Sequence, residues 1–465
     1  MSKNIGNYHL FKRNGAYFVY DFVHNLFLVS KKEEDFKKLE RVLIDFSEKR
    51  NLSDDVRQKY QLILDNYQEN FDIYDTKKHL NKDNAVSGRI TLMISQACNL
   101  RCKYCYGSDG KFGTTGEFMS KATAEQSIRY LVQKAAKVTN YFFVTFLGGE
   151  PLLNFDLMKH TIEYAKANYP DKEFTYTFTT NATLFTQEII DYLKGVNISI
   201  MISLDGMDFI HNANRVFANG KGSFDCVMKN IDLLKKNNVP FYVRSTLADE
   251  YSAYYEDITN FFKDIGASQI YISHLDKYNI DSDEFDIDVD KLKSDKSYVT
   301  AYYEKIKLKI LETGILPSAV PFFAVLKKIH EASRSMISCG VANGCTAVAY
   351  NGDFYPCHRF VGINGFAFGN VYEGINDNEL NNIATSLDKA TIKCNSCWCK
   401  YICQRGCIRN IAKNNGSFIS YSDDFCKLQE EYIERNLETY YEIQKKRPEL
   451  LKQISEKEIE VYNIV

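Results

Sequence analysis

Cysteine is absent from the first 97 residues of this 465-residue chain, although the whole chain contains 13. Proline and glycine are also sparse, with 7 and 24 residues, which excludes collagen-like chains and disordered chains rich in these two residues. No apolar run approaches the roughly 18 residues of a membrane-spanning helix. At this length we expect two or three domains, each large enough to bury a core.

Neither sign of charge is in excess, because 58 Lys and Arg residues are matched by 60 Asp and Glu residues. Such a chain has no overall field for nucleic acid or an anionic membrane, so we expect neither as a partner. The N-terminal sequence MSKNIGNYHLFKRNG lacks the apolar stretch of a secretory signal. The sequence therefore predicts a cytoplasmic protein.

Residues 1–85 have the pattern of a small domain of strands followed by helices. Three strand-like runs are predicted: Tyr8–Lys12, Tyr17–Phe22 and Leu26–Val29. Turn residues separate them. Two helical stretches, Glu33–Lys49 and Asp54–Asn70, come next. The polar residues 76–87 are predicted to form a linker.

From Arg89 onward the pattern changes to alternating strands and helices. Six runs are apolar or β-branched, as in strands buried on both faces; they are Ile90–Ser95, Tyr141–Leu147, Phe174–Thr180, Ile198–Leu204, Phe241–Leu247 and Gln269–His274. The alternation predicts a parallel sheet over residues 86–285, open or curled towards a barrel, with functional groups at the carboxyl ends of the strands.

The remaining sequence divides into three parts. A Lys- and Tyr-rich helical stretch predicts a helical bridge over residues 286–335. Residues 336–430 are rich in cysteine and turns with little periodicity, as expected where metal ligation replaces a hydrophobic core. A helix and tail over residues 431–465 end the chain. Since a reducing compartment disfavours disulfides, clustered cysteines indicate soft-metal ligation.

Cys98, Cys102 and Cys105 form a C-x₃-C-x₂-C run directly after the first strand of the predicted sheet. Three thiolates on one loop can hold three irons of a 4Fe–4S cluster and leave the fourth iron open to a substrate or cofactor. A zinc site is the alternative, although zinc favours paired C-x₂-C arms.

This run, with Tyr104 before its third cysteine, strongly resembles the radical S-adenosylmethionine (SAM) superfamily over roughly residues 89–280. The resemblance implies that the open iron chelates the amino and carboxylate groups of SAM. One electron from the cluster would then cleave SAM to methionine and a 5′-deoxyadenosyl radical. These three cysteines are therefore the candidate catalytic centre.

Further motifs of this family stand at the ends of the predicted strands. The segment Gly148-Gly149-Glu150-Pro151 resembles the motif that holds the SAM amino group. The segment Thr180-Asn181-Ala182 resembles another element of the family, which has glycine where this chain has Ala182. The resemblance implies the following other SAM contacts: Tyr104 and Leu275 to adenine, and Ser203 and Arg215 to the ribose and carboxylate.

The C-terminal cysteines resemble those of a SPASM domain, which houses two auxiliary 4Fe–4S clusters. The resemblance assigns Cys339, Cys345, Cys357 and Cys407 to the first cluster, and some related enzymes lack the ligand at Cys345. It assigns Cys394, Cys397, Cys403 and Cys426 to the second. Cys226 is interpreted as a buried apolar residue, and Cys399 as a spare thiol or an alternative ligand. Two Cys₄ zinc sites are the alternative.

The segment Tyr355-Pro-Cys357-His358-Arg-Phe-Val-Gly362 resembles thioether-forming peptide maturases of the ranthipeptide and sactipeptide type. Sulfatase maturases carry an aspartate base where His358 stands, so His358 is a tentative catalytic residue with a structural role as the alternative. The resemblance implies a partial (β/α)₆ radical SAM barrel between an N-terminal winged-helix-like peptide-recognition domain and a C-terminal SPASM domain.

The predicted function is thioether formation in a ribosomally made precursor peptide, whose leader binds residues 1–85. An external flavodoxin or ferredoxin would supply electrons. Carbon–carbon linkage, epimerisation and formylglycine-type dehydrogenation are alternative reactions. An iron–sulfur electron carrier or scaffold is the alternative outside enzymes, but a carrier needs neither an open-iron loop nor SAM-binding residues.

Overall fold

The computed structural model describes residues 2–69, 80–275, 304–314, 320–332, 339–342, 344–403 and 405–456. Parts of the predicted linker and most of the predicted helical bridge lie outside these residues. Among the helices that are described, none has the length and apolar character needed to cross a bilayer. All thirteen cysteines are free of disulfide bonds.

The N-terminal domain is a four-stranded antiparallel meander followed by helices. Its strands are β1 (Ser2–Ile5), β2 (Tyr8–Arg13), β3 (Ala16–Asp21) and β4 (Leu26–Ser30). Its helices are α1 (Glu33–Ser47), α2 (Asp54–Asp65) and the short α3 (Lys82–Ala85). The three predicted strands are confirmed. β1 was not predicted, because its SKNI sequence is mostly exposed and carries little apolar signal.

The central sheet contains six adjacent parallel strands, all close to their predicted positions. They are β5 (Arg89–Ser95), β6 (Tyr141–Gly148), β7 (Glu173–Thr180), β8 (Ile198–Ser203), β9 (Tyr242–Leu247) and β10 (Gln269–His274). The helices between them are α4 (Lys121–Ala135), α5 (Phe155–Asn168), α6 (Gln187–Leu193), α7 (Asp208–Asn214), α8 (Phe224–Lys236) and α9 (Tyr255–Asp264). The carboxyl ends of the parallel strands therefore meet at one edge.

The cysteine-rich region is joined to this sheet by strand addition. After α10 (304–313) and α11 (Val320–His330), strand β11 (Ala347–Val348) pairs parallel with β5, and β12 (Phe354–Tyr355) pairs antiparallel with β11. Then come β13 (Gly369–Asn370), β14 (Gly374–Ile375), α12 (Asp377–Ala390), α13 (Asp423–Lys446) and α14 (Glu449–Glu456). The two-residue strands β11 and β12 are too short to predict from periodicity, yet they cover the edge of β5.

Strands β2 and β3 of the N-terminal sheet are largely buried on both faces. One face packs under α1 and α2, and the other packs against the C-terminal helices and the Cys394–Cys407 block. At the second contact the His9 ring stacks on the Trp398 indole, with a centroid distance of 3.5 Å and an interplanar angle of 4°. His9 Nε2 also lies 2.9 Å from Glu434 Oε1, and Arg13 forms an ion pair with Glu438.

We predict that His9→Ala loosens the N-terminal domain locally. The substitution removes a buried aromatic stack and the hydrogen bond between His9 and Glu434, which is expected to cost about 2 kcal/mol. Amide hydrogen exchange in β2 and β3 should accelerate, while exchange in β5–β8 should not change. His24→Ala, which removes a partly exposed histidine from the same domain, is the control. Equal exchange in β2 and β3 of His9→Ala and wild type would contradict the prediction.

Candidate active site

The three cysteines that follow β5 line one side of a cavity at the carboxyl edge of the sheet. Backbone hydrogen bonds from Arg101 to Val216 and from Lys103 to Asn214 tie their loop to the segment after α7. Burial raises the pKa of Cys98 to about 12. Because a buried thiolate needs a compensating cation, this set of sulfur ligands fits a soft metal such as iron.

Two glycines at the end of β6 allow this loop to pack tightly. A Cβ atom at Gly148 would lie 2.0 Å from the Ser95 carbonyl oxygen, and one at Gly149 would lie 2.4 Å from that of Ala97. Gly149 N–H also donates to Ser95. The two glycines therefore let the end of β6 lie close to the cluster loop, and both of them also line the cavity.

Glu150 lies behind the cavity wall and is not among the residues that line it. Its carboxylate is fully buried and accepts hydrogen bonds from Leu152 N, Thr180 Oγ1 and Asn181 N at 2.7–3.0 Å. Burial raises its pKa to about 7. Glu150 thus joins the ends of β6 and β7, and its contact to the SAM amino group stays a prediction.

Asn181 lines the cavity and directs its amide towards the cluster loop. Its Nδ2 donates to Asn99 Oδ1 at 2.9 Å and lies 3.8 Å from Cys98 Sγ. Ala182, which follows it, has φ of 59°, in the left-handed region that glycine adopts most easily. The turn thus keeps its conformation although alanine replaces the glycine of the related motif.

A single buried carboxylate, that of Asp205 after β8, connects three parts of the cavity wall. It accepts a hydrogen bond from the Tyr104 hydroxyl and two from Arg215, at 3.0 and 3.1 Å. It also accepts one from Thr246 N at 3.0 Å. Asp205 is fully buried, so the pairing with Arg215 is shielded from water. No role was predicted for Asp205 from the sequence.

The other predicted SAM contacts and several further residues complete the wall. The cavity is lined by the predicted SAM contacts Ser203, Leu275, Tyr104 and Arg215, and also by the candidate catalytic residue His358. Several other lining residues were not predicted from the sequence, among them Tyr106, Arg244, Thr246, Ser273 and Arg359. Arg244 and Thr246 could have been found, because they alternate with buried Val243, Ser245 and Leu247 along β9.

His358 lines this cavity and also a second cavity, which is lined by residues of strands β5–β8. The second cavity is lined by inward-facing side chains such as Thr91, Thr145 and Thr177, and it extends to Cys345. Burial, together with Arg244 and Arg359, lowers the pKa of His358 to about 3. The segment that follows β12 thus brings a neutral imidazole beside the residues predicted to bind SAM.

The cysteines assigned to the first auxiliary cluster interact electrostatically with one another. Burial, with smaller contributions from Cys407 and Cys345, raises the pKa of Cys339 to about 12. Cys357 is fully buried, and its pKa is raised by burial and then by Cys407, Cys339 and Cys345. Four thiols that disfavour one another's ionisation in this way fit a shared metal centre, which would compensate their charge.

The cysteines assigned to the second auxiliary cluster line a small, mostly apolar cavity between the Cys394–Cys407 block and α13. These are Cys394, Cys397, Cys403 and Cys426. Cys399 lines the same cavity, with its Sγ 3.5 Å from Cys397 Sγ. Hydrogen bonds with Cys399 lower the pKa values of Cys397 and Cys403. Cys226 lies elsewhere, on α8, and its Sγ contacts the Thr183 carbonyl oxygen at 3.5 Å.

Comparison with protein families identifies the central sheet. Residues 92–262 match the model of the radical SAM superfamily. This chain carries a radical SAM domain. The match begins within β5 and ends within α9, so it contains the three-cysteine loop and the walls built from β6, β7 and β8. The residues around the cavity fit the 4Fe–4S cluster and SAM that define this superfamily.

Curated relatives extend the similarity beyond the radical SAM domain. An uncharacterised protein of Methanocaldococcus jannaschii is 32% identical over 39% of this chain, which spans 60% of that protein. The radical SAM cyclopropyl synthase TigE of Paramaledivibacter caminithermalis is 27% identical, covering 75% of this chain and 74% of TigE. A cysteine-type anaerobic sulfatase-maturating enzyme of Clostridium novyi is 26% identical, covering 74% of this chain and 93% of the enzyme.

Two solved structures share the fold. The enzyme anSMEcpe with bound AdoMet and the Kp18Cys peptide matches with a TM-score of 0.59 and 20% identity, covering 79% of this chain and 98% of that one. Streptococcus suis SuiB bound to its precursor peptide SuiA matches with a TM-score of 0.50 and 16% identity, covering 91% and 99%. The radical SAM fold of this chain thus also occurs in proteins solved with peptides.

We predict that Asp205→Asn weakens SAM binding without emptying the three-cysteine loop. Neutralising Asp205 leaves buried Arg215 without its carboxylate, which should lower the free energy of unfolding by about 3 kcal/mol. With Arg215 and Tyr104 less constrained, SAM affinity should fall about tenfold, or 1.4 kcal/mol. Equilibrium SAM binding and iron content measure the two effects. Asp208→Asn, an exposed carboxylate a few residues later, should change neither; unchanged SAM affinity in Asp205→Asn would contradict the prediction.

Glu150 is predicted to make stability depend on pH. Its pKa of about 7 in the folded chain exceeds the ordinary value of 4.5, so between these values the folded state keeps a proton that the unfolded state releases. Stability from this group should therefore fall by about 3 kcal/mol as pH rises from about 4.5 to 7.

Thermal unfolding of the holoprotein from pH 5.5 to 8 tests this pH dependence. Gln at position 150 cannot titrate. The amount by which the free energy of unfolding of Glu150→Gln lies below that of wild type should therefore shrink as pH rises. Glu163→Gln, on the exposed side of α5, should parallel wild type. Parallel profiles for Glu150→Gln and wild type would show that Glu150 does not titrate in this range.

Proposed function

We propose that this chain is a radical SAM maturase that forms thioether links between Cys sulfur and an acceptor carbon of a ribosomally made precursor peptide. The observation that carries this proposal is the position of His358. This residue of the maturase-like segment lines the same cavity as Cys98, Cys102 and Cys105, while the neighbouring Cys357 belongs to the proposed first auxiliary site. Substrate oxidation and an electron acceptor would then be adjacent.

The chemistry requires removal of two hydrogens from the peptide. When bound, SAM and its cluster would supply a 5′-deoxyadenosyl radical that abstracts one hydrogen atom from the acceptor carbon. The Cys thiol would lose the second hydrogen as a proton, and its sulfur would form the C–S bond as one electron passes to an auxiliary cluster. Asp205 would orient Tyr104 and Arg215 during this reaction, and His358, whose lowered pKa disfavours proton uptake, would position the peptide.

The N-terminal domain supports a peptide substrate. β4 is an edge strand of its sheet, and Leu26 and Leu28 on it are 46% and 41% exposed. An extended leader could add to this edge through main-chain hydrogen bonds, with the two leucines contacting alternate apolar side chains. This is the role expected of a winged-helix-like recognition domain, and SuiB is a protein of the same fold that binds a precursor peptide.

Carbon–carbon bond formation is the second candidate, favoured by the similarity to the cyclopropyl synthase TigE over three quarters of this chain. Both reactions remove two hydrogens, so mass alone does not separate them. Formylglycine formation is less supported, because His358 occupies the position of the base in sulfatase maturases. A simple electron carrier does not account for the wall of candidate SAM contacts around the open-iron loop.

The test is anaerobic reconstitution with iron, sulfide, dithionite, SAM and Cys-containing peptides encoded beside the gene. We expect 5′-deoxyadenosine, a peptide lighter by two hydrogens, and loss of one iodoacetamide-reactive thiol for each link. Cys102→Ser should abolish all three, and a peptide with Cys replaced by Ser should not be cross-linked.

The outcomes separate the candidates. Peptide lighter by two hydrogens with every thiol still reactive would replace thioether formation with a carbon-centred linkage. A reconstituted chain that carries a full load of iron but releases no 5′-deoxyadenosine would refute the radical SAM activity itself.

A further inference from the structure

The second auxiliary cavity contains five thiols, whereas a 4Fe–4S cluster offers one terminal position on each of four irons. The additional thiol is Cys399, which is 2% exposed and packs in the core formed with the N-terminal sheet and C-terminal helices. Its Sγ lies 3.5 Å from Cys397 Sγ. Ligand atoms of Cys397, Cys399 and Glu430 all lie within 4.8 Å of one another.

The contact between Cys397 and Cys399 indicates that one of these two cysteines is a cluster ligand and that the other lies beside it. Cysteines that bind different irons of one cube diverge from its corners, so their sulfurs cannot remain in direct hydrogen-bond contact. Cys397 and Cys399 are in such contact, so only one of them can be a ligand in this arrangement. Cys397 completes the C-x₂-C pair with Cys394, which leaves Cys399 as the donor.

We propose that Cys399 is not a cluster ligand but donates an S–H hydrogen bond to the Cys397 sulfur and thereby raises the reduction potential of the second auxiliary cluster. A hydrogen bond to a ligand sulfur withdraws electron density from the cluster and favours its reduced form. This inference rests on the auxiliary clusters of the proposed function. It makes the second cluster the better electron acceptor, which favours electron flow away from the substrate.

The surroundings of Cys399 make a clean comparison possible. The buried cations Lys400 and Arg405 and the carboxylate of Glu430 also line the cavity, and they influence the potential in every variant alike. Cys399→Ala removes only the donor and its sulfur, and Cys399→Ser keeps a donor of smaller size. Cys226→Ala is the matched control, since it removes a thiol from α8 that is not among the residues lining the second auxiliary cavity.

The experiment is a redox titration of the reconstituted full-length protein, followed by electron paramagnetic resonance, with iron counted on the same samples. All variants should bind about twelve irons per chain, as three cubes require. In Cys399→Ala the reduced-to-oxidised ratio of one auxiliary cluster at fixed solution potential should fall about tenfold, which is 59 mV for one electron. Cys399→Ser should shift less, and Cys226→Ala should match wild type.

Two results would overturn this proposal. Loss of about four irons in Cys399→Ala would make Cys399 a ligand, and full iron with unchanged potentials would limit it to packing. Neither result would contradict the proposed radical SAM activity. A wild-type chain that binds only about four irons would instead remove the auxiliary clusters, and with them both this inference and the electron acceptor of the proposed function.

Discussion

The pairing of Asp205 with Arg215 is the interaction on which the geometry of the active site depends. Two opposite charges held together away from water constrain each other strongly, because either one alone would be costly to bury. The same carboxylate also holds Tyr104 of the cluster loop and the backbone of β9. Three elements that are distant in sequence thus share one acceptor. Glu150 has a comparable role between β6 and β7, so buried carboxylates fix much of the SAM-facing wall.

A second constraint operates in the cysteine-rich region, where short strands and turns replace extended periodic elements. Its attachment through β11, which pairs with β5, brings Cys345 to the cavity lined by residues of β5–β8. Strand addition also satisfies the hydrogen-bonding edge of β5. One pairing therefore stabilises the sheet and brings the proposed first auxiliary site next to the cavity. In the proposed reaction, this proximity would give an electron released from the substrate a short route to the proposed first auxiliary site.

The N-terminal domain contacts the opposite side of the cysteine-rich region. His9 stacks on Trp398, which lies between Cys397 and Cys399 in sequence, so the proposed peptide-recognition sheet and the second auxiliary site share a packed boundary. Cys399 itself belongs to that shared core. The domain that lacks cysteine is thus physically continuous with the cysteine-dense block. In the proposed function, substrate recognition and electron acceptance would meet across this apolar interface.

The sequence alone determined the six parallel strands and the motifs at their ends, because strands buried on both faces leave continuous apolar runs and the cysteine spacings are local. It also predicted Ser203, Arg215 and Leu275 as SAM contacts, which stay predictions, whereas only the structure brings His358 into the same cavity. Only the tertiary structure placed Glu150 behind the wall, paired Asp205 with Arg215 and brought Cys399 against Cys397. Strands β1, β11 and β12 likewise appeared only there. The physical reason is that each of these features depends on a partner distant in sequence, or on hydrogen bonding in segments too short or too exposed to show a pattern.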